Sequence, residues 1–493
     1  MVILIIQDTA VQIIPLGNGD VDSAKPNGGV WTDDVGLLWA DGVEPVSSTI
    51  YPLASGKRIW HVDLDAAVNG DGSELTPLNN FTDLIGHFDG VNYHIGTLGF
   101  VGGDQIWITG TATAAKHSLG VTDMRIDMRR DTQLGTSAEP TVIRSWKGMS
   151  RAKFDGEFLA ALGIYCDAQT NSDNGLVLLN MEGTRNINDS NHDTSAPFAL
   201  DDYISFGRVV SCWSHHNEAL ASPPDPSSPS QAYTGIQTRC ANGLRDIAVH
   251  NCKVHDNNTS DGTSIRTSNN IGEISLLSQA SADPLSVVEF YLNEISDGNY
   301  AVRHKQSGDS IFRSYNNIIH DCNVGHYTRN AGVNDIHHNI VYDCALADLE
   351  LEAENQAQKR TINYYNNTVS RCARLITTGN ATEVLQNELS VDNNIYWNVS
   401  RTEEVLTLGQ FASKAYDTTD TSSENNIFVT GDESVFWRLN DTQQSTLSNY
   451  RSTISDSTSI TSDPMFVDGD NNDYNLQAGS PAIDLNGSRV GAL

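Results

Sequence analysis

Short runs of alternating apolar and polar residues recur through the second half of the chain, separated by corners rich in Asn and Asp. YNNIIHDC at 315–322, HHNIVYDC at 337–344, YNNTVSRC at 365–372, DNNIYWNV at 392–399 and ENNIFVTG at 424–431 are copies of one unit. Their aligned Asn residues are 317, 339, 367, 394 and 426, which sets the intervals at 22, 28, 27 and 32. VSCWSHHN at 210–217 and HNCKVHDN at 250–257 are weaker copies. Periods of this size mark stacked supersecondary units. No stretch carries an apolar stripe of helix length, so each unit reads as a coil of short strands stacked in parallel on the next. Asn suits the left-handed bend that such corners need, and its amide can hydrogen-bond to the same residue one coil on. Cys322, Cys344 and Cys372 share a repeat position and read as a buried stack of small apolar side chains.

Composition agrees with an all-β chain. The 493 residues are 39% hydrophobic and 19% charged, enough to bury a core and too apolar for a disordered chain. Acidic residues number 62 against 30 basic ones, a formal net charge of -32. So strong an acidic balance argues against nucleic acid and anionic membrane as partners. The seven cysteines form no CxxC pair, which argues against a metal cluster or a disulfide scaffold. The start, MVILIIQDTAVQII, has no basic stretch before its apolar residues and no small-residue cleavage site. It gives no recognisable secretion signal, and the expected location is extracellular or virion-associated.

Two segments outside the repeats resemble the ends of the right-handed parallel β-helix in the pectate-lyase-like superfamily. HVDLDAAVNGDGSELTPLNNFTDLI at 61–85 is similar to its opening, a first strand, a GDGS turn and a short capping helix. SDPMFVDGDNNDYNLQAGSPAID at 462–484 is similar to its closing segment. GGDQIWITG at 102–110 and PTVIRSWKGMSRAKFDG at 140–156 resemble first rungs. The resemblance implies a single-stranded right-handed parallel β-helix over 59–493, capped by a helix near Phe81–Phe88, with 1–58 as an N-terminal appendage. The Pro/Ser-rich ASPPDPSSPS at 221–230 and the stretch 267–284 read as loops inserted between coils. The fold alone implies no chemistry.

Cations gather where the chain is otherwise acidic. Each repeat is accompanied by a further short strand: YTGIQTRC at 233–240, GTSIRTS at 262–268, NYAVRHK at 299–305, VGHYTRN at 324–330 and ADLELEAEN at 347–355. Side chains alternate between the faces of a strand. With Ile236, Ile265, Val302, Leu349 and Leu351 inward, the outward column reads Arg239, Arg266, Arg303 with Lys305, Tyr327 with Arg329, and Glu350 with Glu352. Stacked like charges destabilise a sheet, and an anionic ligand is the simplest compensation. The same alternation turns His304 and His326 inward, and their place near strand ends keeps them as site candidates. His215, His255 and His320 share a position near a turn and read as a surface stack.

Lys305 and Arg329 are separated by one coil, and the run from Lys305 to Arg329 resembles the Lys-Ser-Gly…Arg segment of the alginate lyase and chondroitinase B family of polysaccharide lyases, with Gln306 in place of the Ser. That resemblance implies β-elimination on an anionic polysaccharide such as alginate, with Lys305 as base and Arg329 as acid. Tyr327 rivals Arg329, because guanidinium rarely gives up a proton. Arg239, Arg266, Arg303, His304, His326, Glu350 and Glu352 complete the expected substrate-binding set. The family implies Ca²⁺, but Glu294, Asp297, Asn299 and Tyr300 do not reproduce its acidic spacing. Asp348, Glu350, Glu352 and Glu354 offer hard oxygens as an alternative. Two other functions share the pattern. Paired carboxylates would make a glycoside hydrolase, and a polysaccharide-binding tailspike would be a homotrimer where the enzyme is a monomer.

Overall fold

The computed structural model describes residues 2–7, 10–15 and 43–492, less 45, 47, 49, 82, 89–92, 114–122, 129–133, 158–160, 167–172, 189–195, 201–203, 220–233, 241–245, 258–271, 279–285, 306–310, 330–331, 353–359, 379–386, 399–404, 409–420, 431–436, 440–441, 445 and 455. Val2–Gln7 and Ala10–Pro15 are strands. The rest divides into two compact units at Ser286/Val287. Each unit is a right-handed parallel β-helix whose coils supply one strand to each of three parallel sheets.

In the 287–493 unit the first sheet is built by Val287–Tyr291, Ile311–Tyr315, Gly332–His337, Arg360–Tyr365, Asn387–Asp392 and Thr421–Glu424. The second runs from Glu294–Ser296 to Ile427–Thr430, in strands of three or four residues. The third holds Tyr300–Lys305, Val324–Arg329, Ala347–Glu352, Ile376–Thr378, Leu406–Leu408 and Trp437–Leu439. Phe312, Ile319, Val302, Leu349 and their in-register neighbours fill the coil interior. In the 43–286 unit the first sheet runs from Ile59–Asp63 to Asp246–His250, the second from Thr111–Thr113 to Lys253–His255, and the third from Asp123–Met128 to Gly272–Ser278.

The repeated Asn pair has two jobs. Asn316, Asn366, Asn393 and Asn425, with His338 in the same place, turn the chain at φ between 54 and 57°, a left-handed conformation that Asn tolerates. The following Asn forms a buried ladder. Asn293, Asn317, Asn339, Asn367, Asn394 and Asn426 each give a backbone N–H to the side-chain oxygen one coil on, the last to Ser459 Oγ. Asn186 and Asn217 do the same in the 43–286 unit, the latter to Asn257 Oδ1. Asn293 and Asn186 extend the ladder beyond the copies visible in the sequence. Cys322, Cys344 and Cys372 are buried thiols outside any disulfide, and the Cys344 N–H reaches Cys372 Sγ at 3.4 Å.

The expected capping helix at 81–88 is not formed. Ile85 N–H bonds to Phe81 O at 2.9 Å in a single turn, and Gly86–Phe88 then pairs antiparallel with Tyr93–Ile95. The turn still buries Leu84 and Ile85, so one turn of chain does the covering expected of a helix. The one α-helix among the described residues is Leu447–Ile454, whose Tyr450 meets Phe428 edge-on at 5.9 Å. No helix among them is long and apolar enough to cross a membrane.

Candidate functional site

Three adjacent third-sheet strands of the 287–493 unit carry the site. Their register sets Arg303 opposite Tyr327 and Tyr327 opposite Glu350; one step along, it sets Lys305 opposite Arg329 and Arg329 opposite Glu352. The residues expected to stand in one column on these coils are therefore in register. His304 and His326 define the other face. His304 Nδ1 bonds Asn334 Oδ1 at 2.5 Å and its ring stacks on Phe312 at 4.5 Å. His326 Nε2 meets Ser314 Oγ at 2.9 Å and its Nδ1 meets Asp348 Oδ1 at 2.7 Å. Ser314 and Phe312 belong to the first sheet, so both imidazoles point into the coil and neither reaches the outer face.

Exposure divides the column. Arg303 and Tyr327 are each 1% exposed, so the part expected to stand open is covered. Arg329, Glu350 and Glu352 are part-exposed. Burial lowers the Arg303 guanidinium to about 10, with Arg329 adding to the effect, and burial also lowers Arg329. Burial pushes the Glu350 carboxyl up to about 7, since a low-dielectric site disfavours the charged form. The Tyr327 hydroxyl is buried with no hydrogen-bond partner among the described residues, which is uncommon in a native fold and calls for an explanation. Lys305 is placed by its strand, while its side chain lies outside the described residues.

Tyr300 belongs to this group and was missed in the sequence. It packs with Val324 and Tyr327, its ring 4.6 Å from that of Tyr327. Burial raises its phenol, and Glu350 and Glu352 raise it further. Strict alternation from Val302 and His304 would have turned Tyr300 inward. The alternation restarts at the corner, where Asp348 and Leu349 are both fully buried in succession.

The strand beside Thr234–Cys240 is Gly272–Ser278, with Leu277 opposite Arg239. The sequence reading placed GTSIRTS there and treated 267–284 as an insertion. GEISLLS wins the place because Ile274 and Leu276 supply two core side chains where GTSIRTS offers only Ile265. Arg266 lies outside the described residues, as does the side chain of Arg239. Among the described residues, Arg303, Lys305 and Arg329 stand in this register on the first two strands, and Arg438 stands in it three coils beyond Glu350, after Thr377 and Thr407. Arg313 is on the first sheet, between Glu289 at 3.3 Å and Asp335 at 3.6 Å.

The four-acid face suggested for Ca²⁺ does not form. Asp348 turns inward, bonded to His326 and to the Tyr364 hydroxyl, and Glu354 lies outside the described residues. Asp297 accepts from Ser296 Oγ at 2.6 Å. No His, Cys, Asp or Glu group among the described residues is arranged to hold a metal ion. The histidine stack exists in part: His215 and His255 stack at 5.2 Å with planes 9° apart, while His320 stacks on Tyr342 at 4.9 Å.

The arrangement defines a class: a parallel β-helix with a covered arginine and tyrosine beside a part-exposed arginine and two glutamates. No protein-family model matches the chain, and no curated protein does. Two solved structures are similar to it. The pectate lyase Pel9A has 12% identity and a TM-score of 0.47 over 90% of this chain and 98% of its own. A rhamnogalacturonan lyase has 10% identity and a TM-score of 0.40 over 75% of this chain and 87% of its own.

Proposed function

We propose that this chain is a polysaccharide lyase that cleaves a uronate-containing polysaccharide by β-elimination on the outer face of the third sheet. The observation that supports the reading is the register that sets Lys305 against Arg329 and Arg303 against Tyr327 on consecutive coils. Elimination needs the uronate carboxylate neutralised, a base for the proton alpha to it, and an acid for the leaving oxygen. Arg329, part-exposed, pairs with the carboxylate through its planar fork, and the Arg303 charge supports it from under cover. Lys305, set opposite Arg329 by its strand, supplies the base. Its Nζ takes the proton, and the C–H electron pair becomes the ring double bond. As that double bond forms, the bond to the bridging oxygen breaks, and that oxygen receives its proton from Arg329 or Tyr327. Tyr327 is the readier proton donor of the two by its chemistry, and Arg329 is the one whose side chain is part-exposed.

A second reading has its own support. Glu350 with a pKa near 7 holds a proton as a general acid must, and Glu352 lies two residues along the same strand face, about 7 Å away at the Cα. That pair would suit a glycoside hydrolase. Digestion of a panel of anionic polysaccharides, followed by ultraviolet absorbance alongside reducing ends, separates the two. The lyase raises both signals and loses about 10²–10⁴-fold in kcat with Lys305→Ala, the range of a lost general base. Lys305→Arg fails as well, because Arg keeps its proton. Reducing ends without absorbance, with Lys305→Ala fully active, would replace the lyase by the hydrolase.

A further inference from the structure

The outer face changes sign within one coil. Lys305 and Arg329 are followed in register by Glu352, and Arg303 and Tyr327 by Glu350. Beyond Glu350 the same column continues to Thr377 and Thr407, both neutral hydroxyls, before it reaches Arg438. Consecutive coils are about 4.8 Å apart, close to the length of one sugar along an extended glycan. A chain lying along this column thus presents successive sugars to successive coils. A uronate at the Lys305–Arg329 coil meets cations. A second uronate on the Glu350 side meets two carboxylates instead, and like charges that close repel. A sugar without a carboxylate meets no such penalty there, and Glu350, Glu352 and Thr377 can all hydrogen-bond to its hydroxyls.

We infer that the substrate of this face is a mixed polysaccharide in which the cleaved uronate is followed, on the Glu350 side, by a neutral sugar, and that Glu350 and Glu352 reject runs of consecutive uronates. The inference rests on the lyase reading and narrows it: uronate homopolymers such as alginate become the poor substrates. The two carboxylates act through repulsion of the wrong chain as much as through contact with the right one. Because burial pushes Glu350 up to about 7, its share of the rejection strengthens as it ionises from about pH 6 to pH 8. On the three strands that form its surroundings the charged and titratable groups are Tyr300, Arg303, Lys305, Tyr327, Arg329 and Glu352, with His304, His326 and Asp348 turned inward, and Thr377 opposite it carries no charge.

The test compares kcat/KM by ultraviolet absorbance on uronate homopolymers, alginate and polygalacturonate, and on hyaluronan, in which glucuronate alternates with a neutral amino sugar. The full-length protein should favour the alternating chain at least tenfold. Glu350→Gln/Glu352→Gln should shrink that ratio about tenfold, and Glu352→Gln alone should shrink it in part. Without any substitution, the ratio should widen between pH 6 and pH 8. Homopolymers cleaved as well as the alternating chain would overturn the inference while leaving the lyase reading intact. So would a ratio that neither the substitutions nor pH alters. Absorbance from none of the three polymers, with reducing ends released or not, would remove the lyase reading and this inference with it.

Discussion

Asn339→Ala and Asn339→Asp probe the buried ladder, and the cost of each can be worked from its hydrogen bonds. Asn339 is fully buried. Its Nδ2 donates to Ser314 O at 2.9 Å and to Asn367 Oδ1 at 3.1 Å. Its Oδ1 accepts from Asn317 N at 3.1 Å and from Asn317 Nδ2 at 3.0 Å. Alanine removes all four bonds. Asn317 Nδ2 keeps Phe290 O and Ser314 Oγ, and Asn367 Oδ1 keeps the Asn339 N–H. The Asn317 backbone N–H is left buried without its acceptor, which costs about 1–3 kcal/mol, and the remaining bonds add about 0.5–1.5 kcal/mol each. The expected loss is about 3–7 kcal/mol, large for one substitution. Aspartate keeps the shape and the acceptor but sets an oxygen against Ser314 O and Asn367 Oδ1. It should destabilise at least as much as alanine, despite being nearly isosteric. Urea unfolding gives the change in midpoint. Hydrogen exchange at Asn317 and Asn367 localises the damage, because a repeat fold feels a change mainly in neighbouring coils. An Asn339→Asp variant within about 0.5 kcal/mol of the parent protein would refute the reasoning.

Three more outcomes are expected. His326→Leu leaves the buried Asp348 carboxyl with the Tyr364 hydroxyl but without its imidazole, and should cost about 3–5 kcal/mol in a thermal melt; an Asp348→Asn/His326→Leu pair that recovers nothing would contradict this. Glu350 keeps its proton to about 7 in the folded chain against 4.5 ordinarily, so the folded state binds more protons between those values and stability falls as pH rises through them. Glu350→Gln should therefore be neutral near pH 4 and stabilising at pH 8 by about 1–3 kcal/mol, the upper end reduced by its partial exposure; equal melting shifts at both pH values would count against it. Burial pushes the Cys212 thiol up to about 11 and raises Cys252, and a hydrogen bond with Cys372, then burial, raises Cys344, so iodoacetamide at pH 8 should label them only after denaturation, as mass spectrometry of the native protein would check.

Much of the architecture was legible in the residues because it is local and repeated. A corner Asn, a strand of three and a buried Cys recur with a spacing that depends only on neighbouring coils, so the ladder at 317, 339, 367, 394 and 426 could be read without a partner sequence. Period-two alternation likewise placed Arg303, Tyr327 and Glu350 in one column and Lys305, Arg329 and Glu352 in the next. Other features were set by contacts distant in sequence. Alternation restarts at each corner, so Asp348 turned inward to His326 while Tyr300 joined Tyr327 outside. Which strand lies beside Thr234–Cys240 was a competition between two segments for one place in the stack, won by the core side chains of Ile274 and Leu276 over Ile265. The covering of Arg303 and Tyr327, and with it the pKa of Glu350, follows from what packs over an outward face. A strand's own pattern says which way a side chain points; only the folded chain decides whether water or protein meets it there.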